Sequence, residues 1–158
     1  MRLHHNPPLN IVLYEPQIPP NTGNIARICA ATKCHLILLG KLGFDLTDKK
    51  LKRAGLDYWQ FVSWEHIPEA EEFFESLPPE KFYFLSVHYH KAYTEIYPKE
   101  GDYVFFGKET TGLPKKWMER YPDCCFTVPM WETGVRSLNL GSAVAVVVYD
   151  GLRQLRKF

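Results

Sequence analysis

The sequence predicts one α/β domain, spanning residues 1–158, with a mostly parallel sheet. The first observation is that short apolar runs alternate with helix-like segments along the chain, which favours strands joined by helical crossovers. The second is the length of 158 residues, which suits one ordinary domain with its own core. The third is the composition, because 46% hydrophobic and 23% charged residues are close to the average of soluble globular proteins.

The strands are predicted from short apolar runs that end at proline, glycine or polar residues. The first run is closed by Pro16, Pro19 and Pro20, which are poor residues for the interior of a sheet. The predicted strands are Leu9–Tyr14, His35–Gly40, Phe61–Ser63, Phe82–Val87, Asp102–Gly107 and Cys125–Val128.

A first helix is predicted after the proline-rich loop, beginning in the stretch 21–24. Asn21 and Thr22 are both candidates for its N-terminal cap, because their side-chain oxygens can accept a backbone hydrogen bond. Apolar residues then recur at helical spacing, and the polar Asn24 and Arg27 fall on the opposite face. Three further helices are predicted over Thr47–Gly55, Pro68–Leu77 and Pro114–Arg120.

The last helix is predicted from Asn139 to about Arg156. Its run Val144–Val148 favours a strand by propensity, but the helical period of the surrounding apolar residues outweighs it. Both faces of this helix are apolar, so we expect one face to pack on the sheet and the other on a second copy of the chain. One stripe is Leu140, Val144, Val147, Val148 and Leu155, and the other is Ala143, Val146 and Tyr149.

Composition also limits the partners and the compartment. The formal net charge of +1 does not indicate a nucleic-acid partner by itself, so local basic clusters must supply any such contact. The cysteines have no Cys-x-x-Cys spacing and the six histidines are scattered, so we expect no metal site. With neither a signal segment nor a long apolar run, we expect a cytoplasmic protein that is not in a membrane. The basic clusters are Lys49, Lys50, Lys52 and Arg53, then Lys115 and Lys116, then Arg153, Arg156 and Lys157.

Three polar loops follow predicted strands, at the edge of a parallel sheet where ligands bind. They cover residues 21–27, 106–114 and 136–140, and they concentrate glycine, asparagine, arginine and serine. The second loop lacks both the glycine pattern of dinucleotide-binding folds and the Lys-Ser/Thr of a P-loop, which disfavours dehydrogenases and kinases. A plain structural protein does not explain three such loops.

Taken in order, the three loops resemble the motifs of the SPOUT superfamily of RNA methyltransferases. The first is Asn21-x-Gly23-Asn24-x-x-Arg27 and the second is Phe106-Gly107-x-Glu109-x-x-Gly112-Leu113-Pro114. The third is Val128-Pro129-Met130 followed by Arg136-Ser137-Leu138-Asn139-Leu140, with a stretch 131–135 that is one residue longer than the usual pattern. The resemblance covers nearly the whole chain, and the shortness is similar to the TrmL branch, whose members methylate the wobble nucleotide of tRNA.

The resemblance implies a C-terminal trefoil knot, which is a rare exception to the rule against knotted chains. It also implies a homodimer, in agreement with the twice-apolar last helix. The cofactor implied is S-adenosyl-L-methionine, with S-adenosylhomocysteine as product. By analogy with the family, main-chain groups of Leu85, Gly107, Val128, Ser137 and Leu138 hold it.

The function implied is methyl transfer to the ribose 2′-hydroxyl of a wobble cytidine or uridine in the tRNA anticodon loop. Arg27 is expected nearest the reacting hydroxyl, and Asn24, Arg136 and Asn139 are expected to fix the loops or the RNA. Relatives have been assigned an arginine as general base, but a guanidinium keeps its proton in proteins. We therefore favour stabilisation of the developing alkoxide by Arg27. The alternatives are a ribosomal RNA 2′-O-methyltransferase and a non-catalytic RNA-binding module of the same fold.

Overall fold

Six parallel strands form one sheet in a computed structural model that describes residues 6–47, 49, 53 and 58–158. The order across the sheet is β3-β2-β1-β5-β4-β6, and every pairing is parallel. This confirms the predicted α/β class with a parallel sheet. The strands are β1 Leu9–Tyr14, β2 His35–Leu39, β3 Ser63–Ile67, β4 Phe82–Leu85, β5 Asp102–Phe106 and β6 Cys125–Phe126.

Four helices of the described residues connect and cover these strands. They are α1 Pro19–Thr32, α2 Ala70–Glu75, α3 Lys115–Arg120 and α4 Leu140–Gln154. The predicted helix Thr47–Gly55 lies for the most part outside the described residues. Within the described ranges, no helix combines the length and the apolar character needed to cross a membrane.

The core lies on both faces of the sheet, because successive residues of a strand point to opposite sides. In β1, Ile11 and Leu13 join a cluster that contains α1 and α4, whereas Val12 joins a second cluster with α2 and α3. The second cluster is largely aromatic, and its Phe74 and Trp117 rings stack with centroids 4.4 Å apart. Both ring systems are at least 98% buried, and burial of such a side chain contributes about 1.5–3 kcal/mol to stability. The sheet is therefore the middle of three layers.

Strand boundaries are where the structure differs most from the sequence predictions. The predicted strand Phe61–Ser63 is wrong, because Trp59–Phe61 form a 3₁₀ turn and β3 begins at Ser63. β3 is an edge strand with four half-buried residues, so its sequence lacks the apolar run of a central strand. β4 ends at Leu85 and β6 at Phe126, and each is two residues shorter than predicted. The residues cut from each strand belong to loops.

The last helix confirms the periodicity argument against a strand. Asn139 is its N-cap, and the Oδ1 of that residue accepts hydrogen bonds from the backbone N–H groups of Gly141 (2.9 Å) and Ser142 (3.3 Å). One face packs in the core with α1, while Val146 and Tyr149 on another face are 39% and 47% exposed. An amphipathic helix at the surface ordinarily carries polar residues on that outer face.

Candidate functional site

A cleft of about 990 Å³ lies beyond the carboxyl ends of β4, β5 and β6. Its walls come from three loops, at residues 85–88, 106–113 and 127–140, and the start of α1 contributes Ile18 and Asn21. Ligands of open α/β sheets bind at this end of the strands, and ligand clefts of about 300–1,000 Å³ are typical. The cleft has the position and the size of a small-molecule site.

All five residues predicted to hold a cofactor line this one cleft. Leu85 is the last residue of β4, and Gly107 directly follows the last residue of the adjacent strand β5. Val128, Ser137 and Leu138 come from the long connection between β6 and α4. Residues separated by 53 positions in sequence are thus brought together, which periodicity alone did not reveal.

The loop after β5 closes tightly on itself. A Cβ placed on Gly107 would lie 2.2 Å from the carbonyl carbon of Gly112, which is closer than real Cβ contacts come. The N–H of Gly112 donates to the Lys108 carbonyl at 2.9 Å, and Gly112 has a φ of +74° that suits glycine. Both glycines are therefore needed, one for space and the other for its backbone conformation.

Glu109, at the tip of that loop, reaches the start of α1. Its Oε1 accepts the backbone N–H of Gln17 at 3.0 Å, and its Oε2 accepts the backbone N–H of Ile18 at 2.7 Å. α1 begins with Pro19 and Pro20, which lack N–H groups, and its N-cap Ile18 has no side-chain acceptor. The prediction that Asn21 or Thr22 caps α1 is therefore wrong, and a carboxylate from another loop serves the helix N-terminus.

A chain of hydrogen bonds continues from Glu109 to α4. The Nδ2 of Asn21 donates to Glu109 Oε2 at 3.3 Å, and the Nδ2 of Asn139 donates to Asn21 Oδ1 at 3.2 Å. Asn139 in turn caps α4. One polar chain therefore joins all three motif loops, and it fixes the rims of the cleft relative to each other.

Two predicted catalytic residues are not among the residues that line the cleft. Asn24 and Arg27 are exposed on α1. Asn24 sits against the first turn of α4, since its Cβ lies 3.7 Å from the position that a Cβ would take at Gly141. The Nη2 of Arg27 donates to the Tyr58 hydroxyl at 2.8 Å.

The other two predicted catalytic residues, Arg136 and Asn139, line the cleft itself. Arg136 belongs to the stretch 131–139, in which every residue is exposed and Trp131 reaches 91% exposure. The backbone of this stretch makes a local turn, with the Val135 N–H donating to the Glu132 carbonyl at 3.3 Å. A guanidinium is thus available to solvent at the rim of the cleft.

Charges near the second loop are paired. Lys108 Nζ lies 3.1 Å from Glu15 Oε1 and 5.8 Å from the centre of the Tyr14 ring. Burial, assisted by the nearby Glu15 carboxylate, raises the pKa of Tyr14. The raised pKa keeps the Tyr14 hydroxyl protonated further above neutral pH than an exposed phenol.

Sequence reasoning missed the roles of Glu109 and Tyr58 in this geometry. Glu109 was identified only as a member of the second motif, and no role was predicted for Tyr58. A signal for Glu109 was present, because a helix that starts with Ile18 and two prolines lacks its own polar cap. No local signal identifies Tyr58, since its contact with Arg27 spans 31 residues.

The fold and the cleft define the class of protein. It is a parallel α/β protein whose ligand site is formed by three loops at the carboxyl ends of the strands. Residues 8–149 match the model of the SpoU rRNA Methylase family. The chain belongs to this family of methyltransferases, which confirms the class of enzyme indicated by the three motifs.

Named relatives and a solved structure agree with this assignment. The tRNA (cytidine(34)-2′-O)-methyltransferase of Saccharophagus degradans is 46% identical and covers 92% of this chain and 95% of its own length. The enzyme of the same name from Escherichia coli strain K12 is 43% identical, with 93% and 94% coverage. A solved structure described as giving insights into the 2-OH methylation of C/U34 on tRNA is 42% identical, with a TM-score of 0.85, and covers 95% of this chain and 97% of its own.

Proposed function

We propose that this protein transfers the methyl group of S-adenosyl-L-methionine to the ribose 2′-hydroxyl of the wobble nucleotide, cytidine or uridine, in tRNA. The observation that carries the proposal is the convergence of five predicted cofactor residues on one cleft whose rim holds Arg136 and Asn139. The names of relatives at 43–46% identity support the same substrate.

The residues of the cleft suit a nucleoside with a sulfur-containing side chain. Leu85, Val128 and Leu138 supply apolar contacts for a base, and the loops that carry them present main-chain donors and acceptors. Gly107 keeps its loop closed, so that the backbone itself forms the wall. We propose that Leu85, Gly107, Val128, Ser137 and Leu138 hold S-adenosyl-L-methionine, which supplies a methyl group bound to a sulfonium.

Arg27 is proposed as the catalytic residue nearest the reacting hydroxyl. The 2′-hydroxyl oxygen forms a bond to the methyl carbon as the carbon–sulfur bond breaks, and the hydroxyl proton leaves to water or to an RNA phosphate. The guanidinium stabilises the negative charge that develops on that oxygen and grips a neighbouring phosphate. Asn24 supports the Arg27 face of α1, while Arg136 and Asn139 hold RNA and shape the cofactor loop.

The proposed protein is a cytoplasmic homodimer of single domains, residues 1–158, with the knotted C-terminal segment of its family. The exposed apolar face of α4 supports the dimer.

We expect the anticodon loop to be bound across the dimer with its wobble base unstacked. Two of the basic clusters are partly neutralised, because Lys116 pairs with Glu71 and Arg153 pairs with Asp150. Affinity for tRNA should still fall as salt rises, because phosphate contacts release counterions.

The first test is to incubate the protein with bulk tRNA and labelled S-adenosyl-L-methionine, and then to map the labelled nucleoside by mass spectrometry. Label on a 2′-O-methylated wobble nucleotide is the expected result. Label only on ribosomal RNA would favour the alternative substrate. Cofactor bound without label in any RNA would favour a non-catalytic module.

The role of Arg27 is tested with Arg27→Lys and Arg27→Ala in the same assay. Loss of one residue that stabilises transition-state charge typically lowers the rate by about 10²–10³-fold, so we expect such a loss for Arg27→Ala. A purely cationic role predicts that Arg27→Lys keeps much of the turnover, while a loss equal to that of Arg27→Ala shows that the forked geometry is required. Normal turnover in both variants would contradict the assignment.

A further inference from the structure

The guanidinium of Arg27 makes two different contacts with one aromatic side chain. Its Cζ lies 4.4 Å from the centre of the Tyr58 ring, and its Nη2 donates to the Tyr58 hydroxyl at 2.8 Å. A cation close to an aromatic ring is attracted by the negative potential of the ring face. The hydrogen bond adds a direction to this attraction, so the two contacts together restrict the plane of the guanidinium as well as its position.

Tyr58 is itself held by the turn that follows it. Its carbonyl accepts the backbone N–H of Phe61 at 2.8 Å, and Val62, which is 1% exposed, donates to the Trp59 carbonyl at 3.2 Å. The Trp59 ring packs against the core cluster of α1 and meets the Trp64 ring edge-on, with centroids 5.4 Å apart. The backbone of Tyr58 is therefore anchored to the same core that supports α1.

An exposed arginine on a helix otherwise samples many rotamers. An interaction that needs one geometry is then weakened by the conformational entropy lost when the side chain is fixed in that rotamer. The guanidinium has five N–H donors, and Tyr58 uses one of them. The remaining donors stay available for an oxyanion or a phosphate. Tyr58 is only half-buried, so burial of its ring does not by itself explain the position of the ring.

We propose that Tyr58 is a positioning residue that orients the Arg27 guanidinium for reaction at the ribose hydroxyl. This role rests on the proposed function of Arg27. It predicts an effect on the chemical step, since a displaced guanidinium weakens stabilisation of the developing charge more than it weakens binding of tRNA.

The test compares Tyr58→Phe, which removes only the hydroxyl, with Tyr58→Ala, which removes the ring as well. We expect kcat to fall by about three- to tenfold in Tyr58→Phe, the usual value of one hydrogen bond. A fall of roughly 100-fold is expected in Tyr58→Ala, which frees the guanidinium. The KM for tRNA, the tRNA affinity and the binding of S-adenosylhomocysteine should change by less than about threefold. Tyr97, whose side chain is 76% exposed, supplies the matched control variants Tyr97→Phe and Tyr97→Ala.

A second measurement separates orientation from a general structural effect. In the Arg27→Ala background, the Tyr58 substitutions should have no further effect on kcat, because no guanidinium remains to be oriented. An equal loss in both backgrounds, or a loss that follows a lowered Tm, would overturn the proposal. If the wild-type protein methylates tRNA and the Tyr58 variants have the same kcat as the wild type, the proposal is overturned as well. Absence of methyl transfer by the wild-type protein would instead contradict the proposed function on which this role rests.

Discussion

Two glycines of one loop differ in the physical reason for which each is required. At Gly107 a side chain has no room, because a Cβ would lie 2.2 Å and 2.4 Å from backbone atoms of Gly112. At Gly112 a Cβ would have no neighbour within 4 Å, but the φ of +74° is strained for any other residue. Substitution by alanine therefore tests space at the first position and backbone conformation at the second.

We expect Gly107→Ala to weaken S-adenosylhomocysteine binding by at least about tenfold, since the clash can be relieved only if the loop moves. Gly112→Ala should lower the free energy of unfolding by about 1–2 kcal/mol, the ordinary cost of the left-handed region for alanine. Its effect on binding should be smaller than that of Gly107→Ala. Calorimetric titration and urea unfolding of both variants measure the two effects. The reverse order of the two binding losses would show that the wall of the cleft does not depend on this contact.

At the scale of the element, α1 depends on a carboxylate that belongs to another loop. Glu109 accepts three hydrogen bonds at the N-terminal end of the helix, where the helix dipole favours negative charge. In Glu109→Gln one oxygen becomes an NH₂ group, which faces donors and cannot accept their hydrogen bonds. The variant therefore loses charge and acceptors together.

We expect Glu109→Gln to lower the free energy of unfolding by about 1–3 kcal/mol, because charged hydrogen bonds contribute about that much. The matched control is Glu119→Gln, whose carboxylate is exposed and lies 3.7 Å from Lys115 Nζ. The control should stay within about 0.5 kcal/mol of the wild type. Urea unfolding of the wild type and the two variants provides the comparison. Equal stability of both variants would contradict the assignment of Glu109 as the cap of α1.

The elements that the sequence predicted well are those that bury continuous apolar runs. β1 was predicted with its observed bounds, and α4 was recognised despite a run of valines because its apolar residues keep a helical period. β3 was misplaced because four of its five residues are only half-buried, so its sequence has no continuous apolar run. The loops of the site were recognised as motifs, but the bond from Asn139 to Asn21 spans 118 residues, and no local pattern encodes such a contact.

For the whole molecule, the exposed apolar face of α4 is a feature that the fold of a single chain does not explain. Val146 and Tyr149 lie on this face, and the Tyr149 ring centre is 6.5 Å from that of Phe158, which is 76% exposed. Contiguous exposed apolar residues on a helix indicate an interaction surface. A two-fold interface would place the same patch of both copies face to face.

We expect the protein to sediment with twice its chain mass of 18.4 kDa, and Tyr149→Arg to sediment as a monomer. The substitution removes an aromatic contact and brings like charges together across the two-fold axis, at a cost of about 2 kcal/mol or more. Lys115→Glu, on the distant helix α3, is the control with an exposed charge and should remain dimeric.

Because α4 carries Asn139 at its first end and the apolar face along its length, loss of the dimer should also affect the cleft. Methyl transfer by Tyr149→Arg should fall and should recover as protein concentration is raised. A monomer with full activity would separate the two roles of the helix, and a wild-type monomer would leave the apolar face to another partner.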